Sequence, residues 1–197
     1  MKQALQAIVD QLAALDLQIG ALDRVIHAHH RANDMSCRIE TVPGIGVIGA
    51  TAIASTVTDP RTFKSGRDFA AWIGLVPRQH STGGKERLGG ISKQGDRYLR
   101  RLLVIGATAV VRHARQYPQK HPWVIRLLAR KPAKLVAVAV ANKMARIAWA
   151  IMAKGTARAA FGLPALAATA LYVMVFPFGI LRTMSRTLSE NVFTGRV

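Results

Sequence analysis

Acidic residues and cysteine are scarce in this sequence of 197 residues. It has 10 Asp and Glu against 28 Lys and Arg, and its one cysteine excludes an intrachain disulfide and a zinc site built from cysteines. A two-metal nuclease site needs several converging carboxylates, whereas the acids between residues 41 and 189 are Asp59, Asp68, Glu86 and Asp96. We therefore expect no metal site and no cofactor in this chain. A single thiol fits a reducing compartment, which predicts a cytoplasmic location.

The positive charge is concentrated in the middle of the chain. Of the 28 Lys and Arg residues, 21 lie between Arg61 and Arg158, a segment that we call the basic block and that holds only three acids. The flanking segments are close to neutral. A compact fold with this excess repels itself unless a polyanion neutralises the charge. The composition therefore predicts nucleic acid as the partner, with an anionic membrane surface as the less favoured alternative.

The first segment has the periodicity of a coiled coil. Its apolar residues step by three and four positions, and they are Leu5, Ile8, Leu12, Leu15, Ile19, Leu22 and Ile26. This pattern predicts a long helix over residues 1–34. Pairing with another molecule and packing on the chain's own domain both explain the seam. We interpret His27, His29 and His30 as residues that stabilise the C-terminal end of this helix. The start of the chain lacks the features of a secretory signal.

Residues 39–53 resemble a helix-hairpin-helix. Pro43 ends one helix, Gly44 and Gly46 form a tight turn, and small apolar residues open the next helix. Glycines would let the backbone approach a phosphate, and the N–H groups at the start of the new helix would point at it. A packing corner without a ligand explains the same residues.

Elsewhere the pattern predicts helices and loops. A short helix is expected around Phe69, followed by a loop over residues 77–96 and helices over 98–115, 123–130 and 133–154. The face of the last helix that is expected to be buried contains Leu135, Val136, Val140, Met144, Ile147, Ala148 and Ile151. No segment shows convincing strand alternation, so the predicted fold is all-α.

The predicted loop over 77–96 mixes glycines, hydroxyls and cations. Together with the start of the next helix, it holds the candidate phosphate-binding residues Arg78, Gly83, Gly84, Lys85, Arg87, Lys93, Arg97, Arg100 and Arg101. Arginines at a helix N-terminus oppose the helix dipole, which favours an anionic partner over simple solvation. Ser81 or Thr82 could attack phosphorus if a base or a metal activated the hydroxyl. A loop that only binds phosphate, or that is only flexible, has the same composition.

An ordered series of motifs from Ile39 to about Lys154 resembles the C-terminal domain of transposases of the insertion-sequence one-ten family, the IS116/IS110/IS902 type. The motifs are Val42–Gly46, Phe63–Lys85, Leu88–Asp96 and Tyr98–Leu103. The resemblance implies DNA binding and DNA transposition or recombination by oligomers that a structured guide RNA directs. In that family a RuvC-like nuclease domain with four acidic residues precedes a coiled coil and this C-terminal domain.

The resemblance also implies roles for individual residues. The C-terminal domain of the family supplies a serine nucleophile that links covalently to DNA, which points to Ser81, with Thr82 in reserve. Arg78, Lys85 and Lys93 would bind the scissile phosphate or its neighbours. The divalent metal belongs to the nuclease domain, which this sequence is expected to lack, so the fragment alone is expected to be inactive.

The expected organisation follows from the same comparison of motifs. Residues 1–34 form the coiled-coil helix, 35–158 the DNA-binding domain and 159–197 a tail that departs from the family pattern. The uncharged run over 159–181 is long enough to span a bilayer, but a frame-shifted tail is preferred to a buried hairpin or a membrane helix. Expected partners are DNA, a guide RNA, and a second copy or a full-length transposase paired through the Leu5–Ile26 seam. A non-catalytic nucleic-acid-binding regulator is the main alternative function, and a basic membrane-associated protein is the less favoured one.

Overall fold

Helices make up most of the chain in this computed structural model, which describes residues 2–81 and 88–154. The α-helices are α1 (Lys2–Ala32), α2 (Asp34–Glu40), α3 (Val47–Thr56), α4 (Gly66–Ile73), α5 (Arg97–Gln116), α6 (Pro122–Leu128) and α7 (Ala133–Lys154). Short 3-10 turns cover Pro60–Thr62 and Pro118–Lys120, and two strands, β1 (Pro77–Gln79) and β2 (Leu88–Ile91), form one antiparallel pair. The prediction of an all-α fold is confirmed in that the chain is mostly helical, and the strand pair is the one addition to it within the described residues.

The core forms where α5 packs along α7. Buried residues of both helices, such as Leu103 and Val110 on α5 and Val140 and Met144 on α7, belong to one apolar cluster, and α4 also packs on α7. Burial of these side chains is the main contribution to the stability of such a cluster. Leu135 is predicted to lie in it but is 52% exposed. Successive residues of a helix are rotated by about 100° about its axis. Leu135 therefore lies on the side of α7 opposite the buried face that contains Val140 and Met144.

Helix α7 has the length and apolar composition of a membrane span. Its apolar residues, however, are largely the buried residues of the core, among them Val136, Ala141 and Ile151. The apolar composition of α7 is therefore explained by packing within this domain. The apolar run over 159–181, which the sequence leaves open to three interpretations, lies outside the described residues.

Helix α1 confirms the predicted helix and is attached to the domain only near its end. His30 is its one buried residue, and the ring is held by the hydroxyl of Ser36 at 2.7 Å and by a carboxylate oxygen of Glu40 at 2.9 Å. Asn33 caps α2 by accepting a hydrogen bond from the Ser36 amide. His30 therefore joins α1 to α2. The sequence did not predict this tertiary role, because it indicated His30 only as a residue that stabilises the end of α1.

The turn between α2 and α3 lies against the middle of α5. Gly44 has a φ of +93°, and a Cβ there would lie 2.9 Å from the carbonyl oxygen of Gly106 and 2.8 Å from the Val110 side chain. A Cβ on Gly106 would lie 1.8 Å from the carbonyl oxygen of Gly44. Gly46 instead has a φ of −96° and caps α3. The close packing accounts for Gly44 without a ligand, and its role toward a phosphate stays a prediction.

Replacement of Gly106 by alanine tests this contact. In an exposed helix, Gly→Ala stabilises by about 1 kcal/mol, but at Gly106 the new methyl group would overlap the Gly44 carbonyl and should instead destabilise the domain by roughly 1–3 kcal/mol. Gly20→Ala on α1 is the matched control, because nothing lies within 4 Å of a Cβ there. Urea denaturation followed by circular dichroism measures both variants. Equal or higher stability of Gly106→Ala would show that the contact is not tight.

Candidate nucleic-acid interface

A β-hairpin replaces part of the loop that the sequence predicts over residues 77–96. Pro77 pairs with Ile91 and Gln79 with Leu88. The loop prediction is wrong for these two strands. The sequence did not reveal them because each strand has only three or four residues and β1 is exposed throughout, so its sequence has no alternation of apolar and polar residues. The remaining candidate residues of the loop, Thr82, Gly83, Gly84, Lys85 and Arg87, lie outside the described residues.

The base of the hairpin is fixed to the helical core. The Ser92 amide donates to the Val76 carbonyl at 2.9 Å, and the Lys93 amide donates to the Gly74 carbonyl at 3.2 Å. From α7, the side-chain amide of Asn142 donates to the carbonyl of Leu75, which is buried. The hairpin therefore starts from a rigid position on α4 and α7.

The turn from the hairpin into α5 passes very close to the end of α4. Gly95 has a φ of +84°, and a Cβ there would lie 1.6 Å from the Trp72 carbonyl oxygen. Lys93 adopts a left-handed φ of 57°, which is uncommon for a residue other than glycine. Asp96 then caps α5 by accepting a hydrogen bond from the Leu99 amide at 2.8 Å. These contacts determine where α5 begins relative to the hairpin.

Three of the predicted phosphate-binding residues meet at this base. Arg78 donates to the Ser92 carbonyl at 3.2 Å, and Arg100 donates from one nitrogen to the carbonyls of Ile73 at 2.7 Å and Gln94 at 3.2 Å. Lys93 lies between them in the chain. Arg100 is only partly exposed and holds two backbone segments together, so it positions the hairpin whether or not it also contacts a phosphate.

The other two predicted arginines of α5 are exposed and continue into a longer row. Arg97, Arg101, Arg112 and Arg115 are all exposed, and their spacing of 4, 11 and 3 residues places them on one side of the helix. We call these four residues the α5 arginine stripe, which extends about 27 Å at 1.5 Å per residue. Arg112 and Arg115 are not among the residues predicted from the sequence, although the helical period relates them to Arg97.

No carboxylate among residues 2–81 and 88–154 forms an ion pair with the stripe. Within that part of the chain, Arg38 forms an ion pair with Asp34 and the His30 ring contacts the Glu40 carboxylate, and both contacts lie outside the basic block. Ser81 follows β1 by two residues and is partly buried, while the neighbouring His80 ring approaches Gly89 on β2. The described site thus combines an exposed row of guanidinium groups with a hairpin that carries the candidate nucleophile.

Two buried histidines contact each other at the far end of α5. Nδ1 of His113 lies 3.1 Å from Nε2 of His121, and the rings meet edge to face. Burial lowers the pKa of His113, and the nearby Lys120 ammonium lowers it further. Burial also lowers the pKa of His121, with smaller contributions from His113 and Lys120. The folded protein therefore keeps both rings neutral down to a lower pH than exposed histidines would allow.

Residues 36–122 match the model of the IS116/IS110/IS902 family of transposases. This region contains the α2–α3 turn, the hairpin and the α5 arginine stripe, and the chain belongs to that family. The chain is 51% identical over 157 residues to a probable family 20 transposase of Pseudomonas aeruginosa, a match that covers 79% of this chain and 46% of that protein.

Other relatives come from several bacteria. A putative transposase of Sinorhizobium fredii is 52% identical over 143 residues, covering 72% of this chain and 37% of that protein. A pilin gene-inverting protein of Moraxella bovis is 28% identical over 145 residues, covering 73% of this chain and 44% of that protein. The chain thus spans less than half the length of these relatives.

The histidine pair predicts a loss of stability in acid. Above about pH 6.5, the ordinary pKa of histidine, both the folded and the unfolded chain carry neutral rings. As the pH falls from there toward the lowered folded-state pKa values, the unfolded chain binds more protons and the folded state loses stability. Urea denaturation midpoints between pH 7.5 and 5 should therefore fall less in His121→Gln than in the native sequence. His27→Gln, an exposed control on α1, should follow the native sequence; equal pH dependence in all three would contradict the assignment.

Proposed function

We propose that this domain binds DNA and acts in DNA transposition or recombination as the C-terminal part of a transposase. The observation that carries the proposal is the α5 arginine stripe beside a hairpin whose base is fixed to the core. Guanidinium groups without carboxylate partners favour contacts with phosphates. Membership in the transposase family supports DNA, rather than a membrane surface, as the polyanion.

The hairpin and the stripe would have different roles in this complex. The stripe is long enough to follow several phosphates of a duplex, which would position the protein without reading the base sequence. A two-stranded ribbon has dimensions that the major groove of DNA admits. The hairpin would therefore bring the segment around Ser81 to the DNA, while Arg78 and Lys93 at its base bind nearby phosphates.

Ser81 is the proposed nucleophile, and Thr82 is the alternative. Its hydroxyl oxygen would attack phosphorus, a deoxyribose oxygen would leave, and a phosphodiester between serine and DNA would form. Neighbouring guanidinium groups would stabilise the negative charge that develops on the phosphate oxygens. The hydroxyl needs a base or a metal for activation, and we assign this step to the nuclease domain of a complete transposase. The chain alone would then bind DNA without cutting it.

Helix α1 is the proposed contact with another molecule. Its large apolar residues are exposed, and they are Leu5, Ile8, Val9, Leu12, Leu15, Leu17, Ile19, Leu22 and Val25. Exposed apolar rows of this length favour burial against a partner helix, which would come from a second copy or from a full-length transposase. A structured guide RNA would suit the same basic surfaces as DNA and is part of the proposal.

The same exposed seam favours a second candidate function. A chain that pairs with a full-length transposase through this seam would occupy a place in the oligomer that another full-length copy would otherwise take. It would then act as a regulator that binds nucleic acid and lowers the activity of its partner. The two functions differ in whether Ser81 reacts.

Binding to a 30-base-pair DNA duplex tests the role of the stripe. We expect the affinity to fall steeply between 50 and 200 mM salt, and the slope of log K against log salt to decrease by about 0.9 for each phosphate that the protein no longer neutralises. A variant with Gln at all four stripe positions should show this decrease in fluorescence anisotropy titrations. The control carries Gln at Lys2, Arg24, Arg31 and Arg38, which removes the same charge from the N-terminal segment. Equal slopes for the two variants would contradict the proposed interface.

A covalent adduct with DNA distinguishes a transposase part from a regulator. The chain is incubated with DNA and a full-length relative, and a denaturing gel separates adducts of this 21.4 kDa chain from those of the longer protein. We expect an adduct that Ser81→Ala abolishes and Thr82→Ala retains. The reverse result would move the nucleophile to Thr82. If the native sequence forms no adduct but lowers adduct formation by the relative, the chain is a regulator.

A further inference from the structure

The exposed side of α5 is not charged along its whole length. Arg101 and Arg112, the two inner members of the α5 arginine stripe, are 11 residues apart, and the exposed residues between them are Ile105 and Thr108. Ile105 is 47% exposed, whereas Leu103, two residues before it, is buried in the core. We call Ile105 and Thr108 the central patch of α5. It is an uncharged segment with an arginine on either side of it along the helix.

The central patch faces the same way as the two arginines. Because successive residues of a helix are rotated by about 100°, Thr108, Arg101, Arg112 and Ile105 fall within a sector of about 60° around the axis. The other residues between the two arginines are buried or half-buried. A ligand that contacts both arginines from outside therefore also lies against Ile105 and Thr108.

The central patch offers a ligand no hydrogen-bond donor. The Thr108 hydroxyl donates to the Val104 carbonyl at 2.8 Å, which is the bond by which a threonine in a helix binds back to the preceding turn. Its methyl group and the lone pairs of its oxygen remain, next to the apolar side chain of Ile105. Surfaces that bind each other have complementary charge. We therefore expect a partner that is apolar where it meets the central patch and negatively charged on both sides of it.

The major groove of DNA has this distribution of groups. It is about 12 Å wide, it admits an α-helix, and the C5 methyl group of thymine is among the groups on its floor. The phosphates of the two strands border it. Arg101 and Arg112 are about 16.5 Å apart along the axis at 1.5 Å per residue. Their long side chains would reach phosphates on both borders when the central patch lies against the base edges.

We propose that α5 lies in the major groove of a DNA duplex, with Ile105 and Thr108 against thymine methyl groups and with Arg101 and Arg112 on phosphates of the two strands. The inference rests on the proposed function in that the partner is DNA, and it adds the two residues that contact bases. A G·C pair presents polar groups in the groove instead of a methyl group. Burial of those groups against Ile105 would leave them without partners, so the central patch selects A·T pairs.

Replacement of thymine by uracil in the DNA tests this contact, because the C5 methyl group is lost while the backbone charge and the hydrogen-bonding groups stay the same. Anisotropy titrations use a 30-base-pair duplex of alternating A and T and the same duplex with deoxyuridine in place of thymidine. The alternating sequence presents a methyl group at every base pair, so no particular target site is required. We expect the native sequence to bind the thymine duplex more tightly, by roughly fourfold for each methyl group that the central patch buries.

Two variants connect this preference to the central patch. Ile105→Ala removes the apolar side chain and favours the helix, and Thr108→Ser removes a methyl group while keeping the hydroxyl. Each should lower the ratio of the two affinities toward one. Leu135→Ala is the matched control, because it removes the same number of carbon atoms from a residue of α7 that is 52% exposed. It should keep the ratio of the native sequence.

Equal affinities of the native sequence for the two duplexes would overturn the inference. An unchanged ratio in a variant that carries both Ile105→Ala and Thr108→Ser would also overturn it. Tighter binding to an RNA duplex of the same length would do so as well, because the major groove of RNA is too deep and narrow for side chains to read. The proposed function is tested separately by the salt dependence of the stripe variant, which does not depend on the methyl group of the base.

Discussion

The close approach of the α2–α3 turn to α5 determines the position of the helix on which the other features depend. At Gly44 and Gly106 the two backbones leave no room for a side chain, so α5 is held on one side by this turn and on another by α7. With α5 fixed, its four exposed arginines face outward, Asp96 at its start leads into the hairpin base, and His113 near its end meets His121. One tight backbone contact thus orients the charged row, the hairpin and the histidine pair together.

The structure separates charge that is neutralised internally from charge that is not. Asp34 pairs with Arg38 within α2 and Glu40 contacts the His30 ring, whereas the stripe has no carboxylate partner among the described residues. Within the basic block, Arg78 and Arg100 donate to backbone carbonyls at the base of the hairpin. The stripe arginines repel one another in the free protein, and a polyanion would relieve that repulsion.

Sequence periodicity predicted features that depend on a single helix, such as which face is apolar. It did not predict features that depend on contacts between segments distant in the sequence. The seam of α1 and the buried face of α7 follow from local spacing, apart from Leu135, which a stricter use of the helical period would have excluded. The same period would have added Arg112 and Arg115 to Arg97. No local pattern shows that Arg100 donates to the Ile73 carbonyl or that Trp149 donates to the Pro60 carbonyl, because the partners are 27 and 89 positions apart.

The attachment of α1 near its C-terminal end, where His30 is its one buried residue, has a geometric consequence. The helix has 31 residues and is therefore about 46 Å long at 1.5 Å per residue, with the domain at one end. Two copies whose α1 helices pair in parallel would place their domains next to each other, and two copies whose helices pair antiparallel would separate the domains by the length of the helix. In the proposed complex with DNA, the orientation of that pairing would decide whether one oligomer binds two neighbouring DNA sites or two distant ones.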